Sequence, residues 1–160
     1  MADVKNRNVT KRNKKTVLRK IAELMKTQAP KGQFTETVGR RKTATARVRL
    51  YEAKSNSMTV NGIDVKEYFK TDRLTGIAMA ALESPEVGQT YQATVLVKGS
   101  GQNAQAESVR LGVARALVEL NEELRGTMKH AGFLKRDPRS VERKKFGLRK
   151  ARKAPTWVKR

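Results

Sequence analysis

The sequence has no cysteine, a single histidine, and fewer than half as many acidic as basic side chains, 15 against 36. Without cysteine there are no disulfides, no thiolate nucleophile and no cysteine-based zinc knuckle or finger. A metal has little to build on at His130, and a general base there lacks an orienting partner. It reads as a packed or solvent-facing side chain between Lys129 and the turn at Gly132. Asp64, Glu67 and Asp72 stand close together, but each has a Lys or Arg neighbour, so they read as caps and surface charge. No apolar run approaches the roughly 20 residues of a transmembrane helix. The first residues lack the apolar core of a signal peptide, and they match a transit peptide only in charge, being rich in Lys and poor in Ser. These absences predict a protein that is not an enzyme, with no cofactor, no metal, no small-molecule substrate and no membrane contact.

What is present is positive charge, unevenly placed. The formal net charge is +21. Residues 1–20 hold 8 basic and 1 acidic side chain, and residues 135–160 hold 12 and 2. The middle, 21–134, holds 16 and 12. A nearly balanced domain thus carries two basic arms, and blocks of like charge resist compaction until a polyanion neutralises them. The expected organisation is a basic N-terminal extension over 1–35, a globular α+β domain over 36–134 and an extended basic tail over 135–160. Both arms are expected to be mobile in the free protein. Of the possible polyanions, a membrane would require an apolar face opposite the charge. The C-terminal arm lacks one, so nucleic acid is favoured.

Along the chain, residues 1–15 are polar and expected to be disordered. "TVLRKIAELMKT" spaces Val17, Leu18, Ile21, Leu24 and Met25 as one apolar face of a short helix, broken by Pro30 and Gly32. In "TATARVRL", Thr43, Thr45, Arg47 and Arg49 alternate with Ala44, Ala46, Val48 and Leu50, which predicts a strand with one buried and one basic face. "MTVNGIDV" predicts a short strand with an Asn61-Gly62 turn, and Asp64 a cap for a helical turn through "VKEYF". A helix follows over "RLTGIAMAALES" up to Pro85, then a strand over "TYQATVLVKG". A glycine-opened helix comes next, with Val109, Val113, Ala116, Leu117 and Leu120 on one face, and a short helix near "GTMKHAGF". The expected fold is a small mixed sheet covered by helices on one face, with long basic N- and C-terminal extensions.

Three segments suggest contact with phosphate. Arg40, Arg41 and Lys42 lead into the strand carrying Arg47 and Arg49, a face that could lie across a phosphate ridge or simply be solvated. Gly99 and Gly101 join a strand to a helix. They read as a tight turn or as a backbone phosphate contact at the helix N-terminus. A nucleotide-dependent enzyme is disfavoured, because no Lys follows the turn and Ala104 stands where a dinucleotide fingerprint has its third glycine. Arg110 lies on the following helix. In the arm, Asp137-Pro138 starts a turn, and Arg136, Arg139, Arg143, Lys144, Lys145, Arg149, Lys150, Arg152 and Lys153 would lie on every side of any helix formed there. A segment surrounded by polyanion calls for that arrangement. Trp157 could stack on a base or pack on RNA sugars.

"GRRKTATARV", "VNG", "GSGQNAQAESVRLGVARAL", "LKRDPRSVERKKFGLRKAR" and the final "KR" together resemble the universal family of the ninth protein of the small ribosomal subunit, over about residues 36–160. The arm resembles the bacterial or organellar branch. The resemblance implies an α+β domain on ribosomal RNA in the head of the small subunit, beside neighbouring small-subunit proteins, in the cytoplasm or in an organelle. It also implies a tail whose tip, Lys159 and Arg160, reaches the transfer RNA in the peptidyl site. The sequence departs from the family in Gly99-Ser100-Gly101, where the family has three glycines, in Thr156-Trp157-Val158, where Gln-Phe-Ser is usual, and in its N-terminal extension. The rival reading is a free-standing nucleic-acid chaperone or DNA-compacting protein, which would bind DNA and RNA alike and would not co-sediment stoichiometrically with ribosomal subunits.

Overall fold

A computed structural model describes residues 32–159. The predicted amphipathic helix at 17–25 and the side chain of Arg160 lie outside the described residues. Five strands form one mixed sheet: β1 (Thr35–Arg41), β2 (Ala44–Glu52), β3 (Ser57–Val60), β4 (Ile63–Asp64) and β5 (Tyr91–Lys98). Their order across the sheet is β1-β2-β5-β3-β4. β1 and β5 run antiparallel to β2, β4 runs antiparallel to β3, and only β3 and β5 are parallel. A parallel pair needs a crossover. It is supplied by helices α1 (Val65–Phe69) and α2 (Asp72–Met79) and a single 3-10 turn (Pro85–Val87). Helices α3 (Gln102–Leu120) and α4 (Leu124–His130) complete the domain.

The alternation predicted in β2 holds. Ala44, Ala46, Val48 and Leu50 are buried, and Arg47 is exposed on the other face. The register sets Ala46 beside Val97, Val48 beside Val95 and Leu50 beside Ala93, so one sheet face is continuous and apolar. α3 lies across it with Val109, Val113, Ala116 and Leu117 buried. Fully burying a Val or Leu side chain contributes about 1.5–3 kcal/mol, and the domain holds many such residues. The predicted fifth member of that helix face, Leu120, is 42% exposed, because it flanks a surface groove with Phe34 and Tyr51.

β1 escapes an apolar-pattern reading. Its inward positions are Thr37, Gly39 and Arg41, which sit opposite the buried Val48, Ala46 and Ala44 of β2. Thr37 Oγ1 donates to the carbonyl of Gly112 at 2.7 Å. Arg40, Arg41 and Lys42 therefore belong to a hairpin, with Lys42-Thr43 as its two-residue turn and Lys42 at φ +51°. The second helix is shorter than predicted. It ends at Met79, after which turn hydrogen bonds to the Met79 carbonyl bring Leu82 into the core. Asp64 caps α1 as expected, accepting from the Lys66 N–H at 3.1 Å.

Candidate nucleic-acid interface

Two tight turns meet at one end of the sheet. Lys42-Thr43 closes the β1–β2 hairpin, and Gly99-Ser100-Gly101 leads from β5 into α3. A Cβ on Gly99, at φ +84°, would come within 2.3 Å of the Thr43 carbonyl oxygen, so no larger residue fits there without moving backbone. Gly99 is thus required by a close approach of the two turns. Around them stand exposed Arg40, Lys42 and Lys98, and Gly101 is the N-cap residue of α3 with no side-chain cap. Free N–H groups and the positive end of a 19-residue helix therefore share a surface with three cations.

The "VNG" and "GSGQ" segments support each other. Asn61 and Gly62 adopt positive φ, as a hairpin turn of this type requires. The Asn61 side chain then extends the ladder of β5: its amide donates to Val97 O at 3.1 Å and accepts from Val97 N–H at 3.0 Å. Tyr68 Oη, 3.4 Å from Asn61 Nδ2, bonds to Gln105 Oε1 at 3.0 Å. Gln105 Nε2 donates to the Gly99 carbonyl at 3.1 Å. This chain of polar contacts holds the glycine turn in place.

Arg47 and Arg49 share the open sheet face, but Glu36 of β1 lies between them, 3.8 Å from Arg47 and 2.6 Å from Arg49. Arg49 also stacks over the Phe34 ring at 4.8 Å. Glu36 reaches this face because the β1–β2 register sets it opposite Arg49.

Arg41 does not join the exposed cations. Its side chain is only 14% exposed and is held by Glu107 of α3 at 2.5 Å and by Asp137 at 2.9 Å. Its buried Nε finds no partner among the described residues. Asp137 also accepts from the Arg139 side chain and, at 3.0 Å, from the Arg139 backbone N–H. These bonds from Arg139, with a further one from Arg41, hold the Asp137 carboxyl well below the usual carboxylate range. Arg110 packs over the Phe133 ring at 5.3 Å, beside the exposed Arg136 in the same cleft. Glu107, Arg41, Asp137 and Arg139 thus form a clasp that ties the root of the arm to the core. Glu107 and the anchoring role of Asp137 were not visible in the sequence.

Beyond the clasp, residues 140–159 form no helix or strand. Arg143, Lys144, Arg149, Lys150, Lys153 and Lys159 are exposed. Lys145 and Arg152 are exposed too but paired with Glu142, each at 2.8 Å. Among the described residues no cluster of His, Cys, Asp or Glu could hold a metal, and no helix is long and apolar enough to cross a membrane.

The clasp has a testable consequence. Because the folded pKa of Asp137 is depressed, its contribution is fully present above the ordinary carboxylate range, declines as pH falls below that range and is gone below the lowered value. Amide exchange at Arg139 should show the same opening equilibrium from pH 8 to pH 5. Asp137→Asn should raise that equilibrium several-fold and speed trypsin cleavage after Arg139. Equal protection in the variant and the parent would refute the clasp.

These features define a small α+β domain that leads a cationic arm away from a fixed root, the build of an RNA-binding structural protein. The profile of the ribosomal protein S9/S16 family matches residues 39–160, and the chain belongs to that family. Among curated relatives, "Small ribosomal subunit protein uS9" of Nostoc punctiforme is 49% identical over 123 residues, 76% of this chain and 88% of that protein. The protein of the same name in Cytophaga hutchinsonii is 48% identical over 133 residues, 80% of this chain and 99% of that protein.

Proposed function

We propose that this chain is a structural constituent of the small ribosomal subunit in cytoplasmic ribosomes, binding ribosomal RNA in the subunit head and touching neighbouring subunit proteins. The domain would grip RNA with Arg40, Lys42, Arg47, Arg110 and the turn at Gly99 and Gly101. Arg41 would serve the clasp. The arm would thread between RNA segments, with Arg136, Arg139, Arg143, Lys144, Lys145, Arg149, Lys150, Arg152 and Lys153 on phosphates. Lys159 and Arg160 would meet the transfer RNA in the peptidyl site. The observation that carries this reading is the arm itself: cations exposed on all sides, no regular structure, and a root fixed to the core. The residues past the clasp lead the tip away from the root, so that one arm can meet RNA along its length and a second ligand at its end. Phosphates around such an arm replace the apolar burial it lacks, and the release of their counterions makes the binding strong and salt-dependent.

The tip separates this role from general RNA binding. Lys159 and Arg160 are two of the arm's 12 basic residues, so their removal should leave incorporation into subunits intact. An exposed phosphate contact contributes on the order of 1 kcal/mol once solvent screens it. Filter binding of transfer RNA to purified small subunits should therefore weaken several-fold when both residues are deleted. Equal affinities at low and physiological salt would exclude a tip contact.

A further inference from the structure

The middle of the arm is not featureless. Glu142 holds Lys145 with one carboxylate oxygen and Arg152 with the other, each at 2.8 Å. The Arg149 N–H donates to Lys153 O at 2.7 Å, and the Leu148 N–H reaches Lys145 O at 3.4 Å. Gly147, at φ +73°, supplies the left-handed residue that bends the chain between them. The result is a small closed loop over residues 142–153. Its apolar residues are sorted: Leu148 and Ala151 turn partly inward, whereas Phe146 is 96% exposed.

That exposure sets Phe146 apart from the other three phenylalanines, and in the arm the only comparable aromatic among the described residues is Trp157, 80% exposed. Phe34 lies against Tyr51 and under Arg49, Phe69 is buried edge-on to Tyr68, and Phe133 lies under Arg110. An aromatic ring held out in water by a turn gains nothing from the free protein. Its surroundings indicate the partner. Exposed Arg143, Lys144, Arg149 and Lys150 flank it, so a protein pocket for the ring would also have to be strongly acidic. RNA offers phosphates for the flanks and base planes for the ring. Base–aromatic stacking works for any base because each has a π-face.

We propose that residues 142–153 form a preformed finger and that Phe146 at its tip stacks on an unpaired base of RNA. This rests on the RNA-binding role proposed above. It adds that the arm makes a specific apolar contact at position 146 in addition to charge.

The test is the affinity of the full-length chain for small-subunit ribosomal RNA, measured across a range of salt with a series of residues at position 146. Stacking predicts that Phe146→Tyr and Phe146→Trp stay within about twofold of the parent, whereas Phe146→Ala and Phe146→Leu lose roughly 5- to 100-fold. The salt slope should be the same in all, because no charge changes. Gly147→Val, which removes the bend but no charge, should also lower affinity at constant slope. The exposed ring contributes nothing to the core, so urea midpoints should coincide. Leu as good as Phe would indicate generic apolar packing and overturn the proposal. So would an unaffected Ala variant, an unaffected Gly147→Val, or a defect that appears only when other subunit proteins are present. Failure of the parent itself to bind the RNA would instead remove the underlying role.

Discussion

A chain ending at Arg139 should fold normally and lose about 10³-fold or more in affinity for small-subunit ribosomal RNA near 0.1 M salt. The core is complete without the arm: the buried cluster ends at Met128, with only Phe133 and Leu134 packed against it beyond that point. Truncation at Arg139 also keeps the clasp of Arg41, Glu107, Asp137 and Arg139. It removes nine basic residues and one acidic residue. Each lost phosphate contact lowers the slope of log affinity against log salt by roughly 0.7–0.9. If most of the nine touch phosphate, the slope should become shallower by about 5 or more. Affinity titrations at four or five salt concentrations measure this. A slope that changes by less than about 1 would mean that the arm lies in solvent, and that the hairpin turn and sheet face carry the binding.

The largest loss of stability should come from Gly39. Its Cα faces α3 so closely that an added Cβ would lie 1.8 Å from the Ser108 carbonyl oxygen and 2.6 Å from the Gly112 nitrogen. Both obstacles are backbone, so a rotamer change cannot relieve them, and α3 must move off the sheet. Overpacking typically costs 1–3 kcal/mol and more where nothing can yield. Gly39→Ala should therefore destabilise by about 3 kcal/mol or more, a large share of the roughly 5–15 kcal/mol that holds a domain together. Gly76 is the counter-case. It sits in α2 with nothing within 4 Å of its added Cβ. Gly76→Ala should stabilise by roughly 0.5–1 kcal/mol, because alanine loses less backbone entropy in a helix. Urea unfolding of the three proteins decides it, and a Gly39→Ala midpoint close to that of the parent would show that α3 does not rest on β1 as described.

The same helix contact explains what the sequence revealed and what it hid. β2 was legible because its inward residues are apolar at period two. The Asn61-Gly62 turn, the Asp64 cap and most of α3 were legible for equally local reasons. β1 was not, since a strand that meets a helix through Thr37 and Gly39 carries no apolar signature. Missing β1 hid Glu36, and with it the pairing of Arg47 and Arg49. Arg41 looked like its neighbours Arg40 and Lys42. Alternation places it inward only once β1 is known, and its partner Asp137 is 96 residues away in the sequence. The arm's charge was plain from composition. The two acidic residues within it were the overlooked signal, because Asp137 fixes the root and Glu142 closes the loop. A lone carboxylate in a basic segment that is to be neutralised by RNA has a reason to be there, and here each holds the backbone in a defined shape.

The proposed role makes this protein a stoichiometric, RNA-held part of the small ribosomal subunit. Sedimentation of ribosomal subunits through a sucrose gradient at moderate salt, with the protein quantified in each fraction, tests it most directly. One copy per small subunit is expected, retained through the gradient and released only at high salt. Protein found at the top of the gradient, or spread evenly over DNA and RNA fractions, would contradict it.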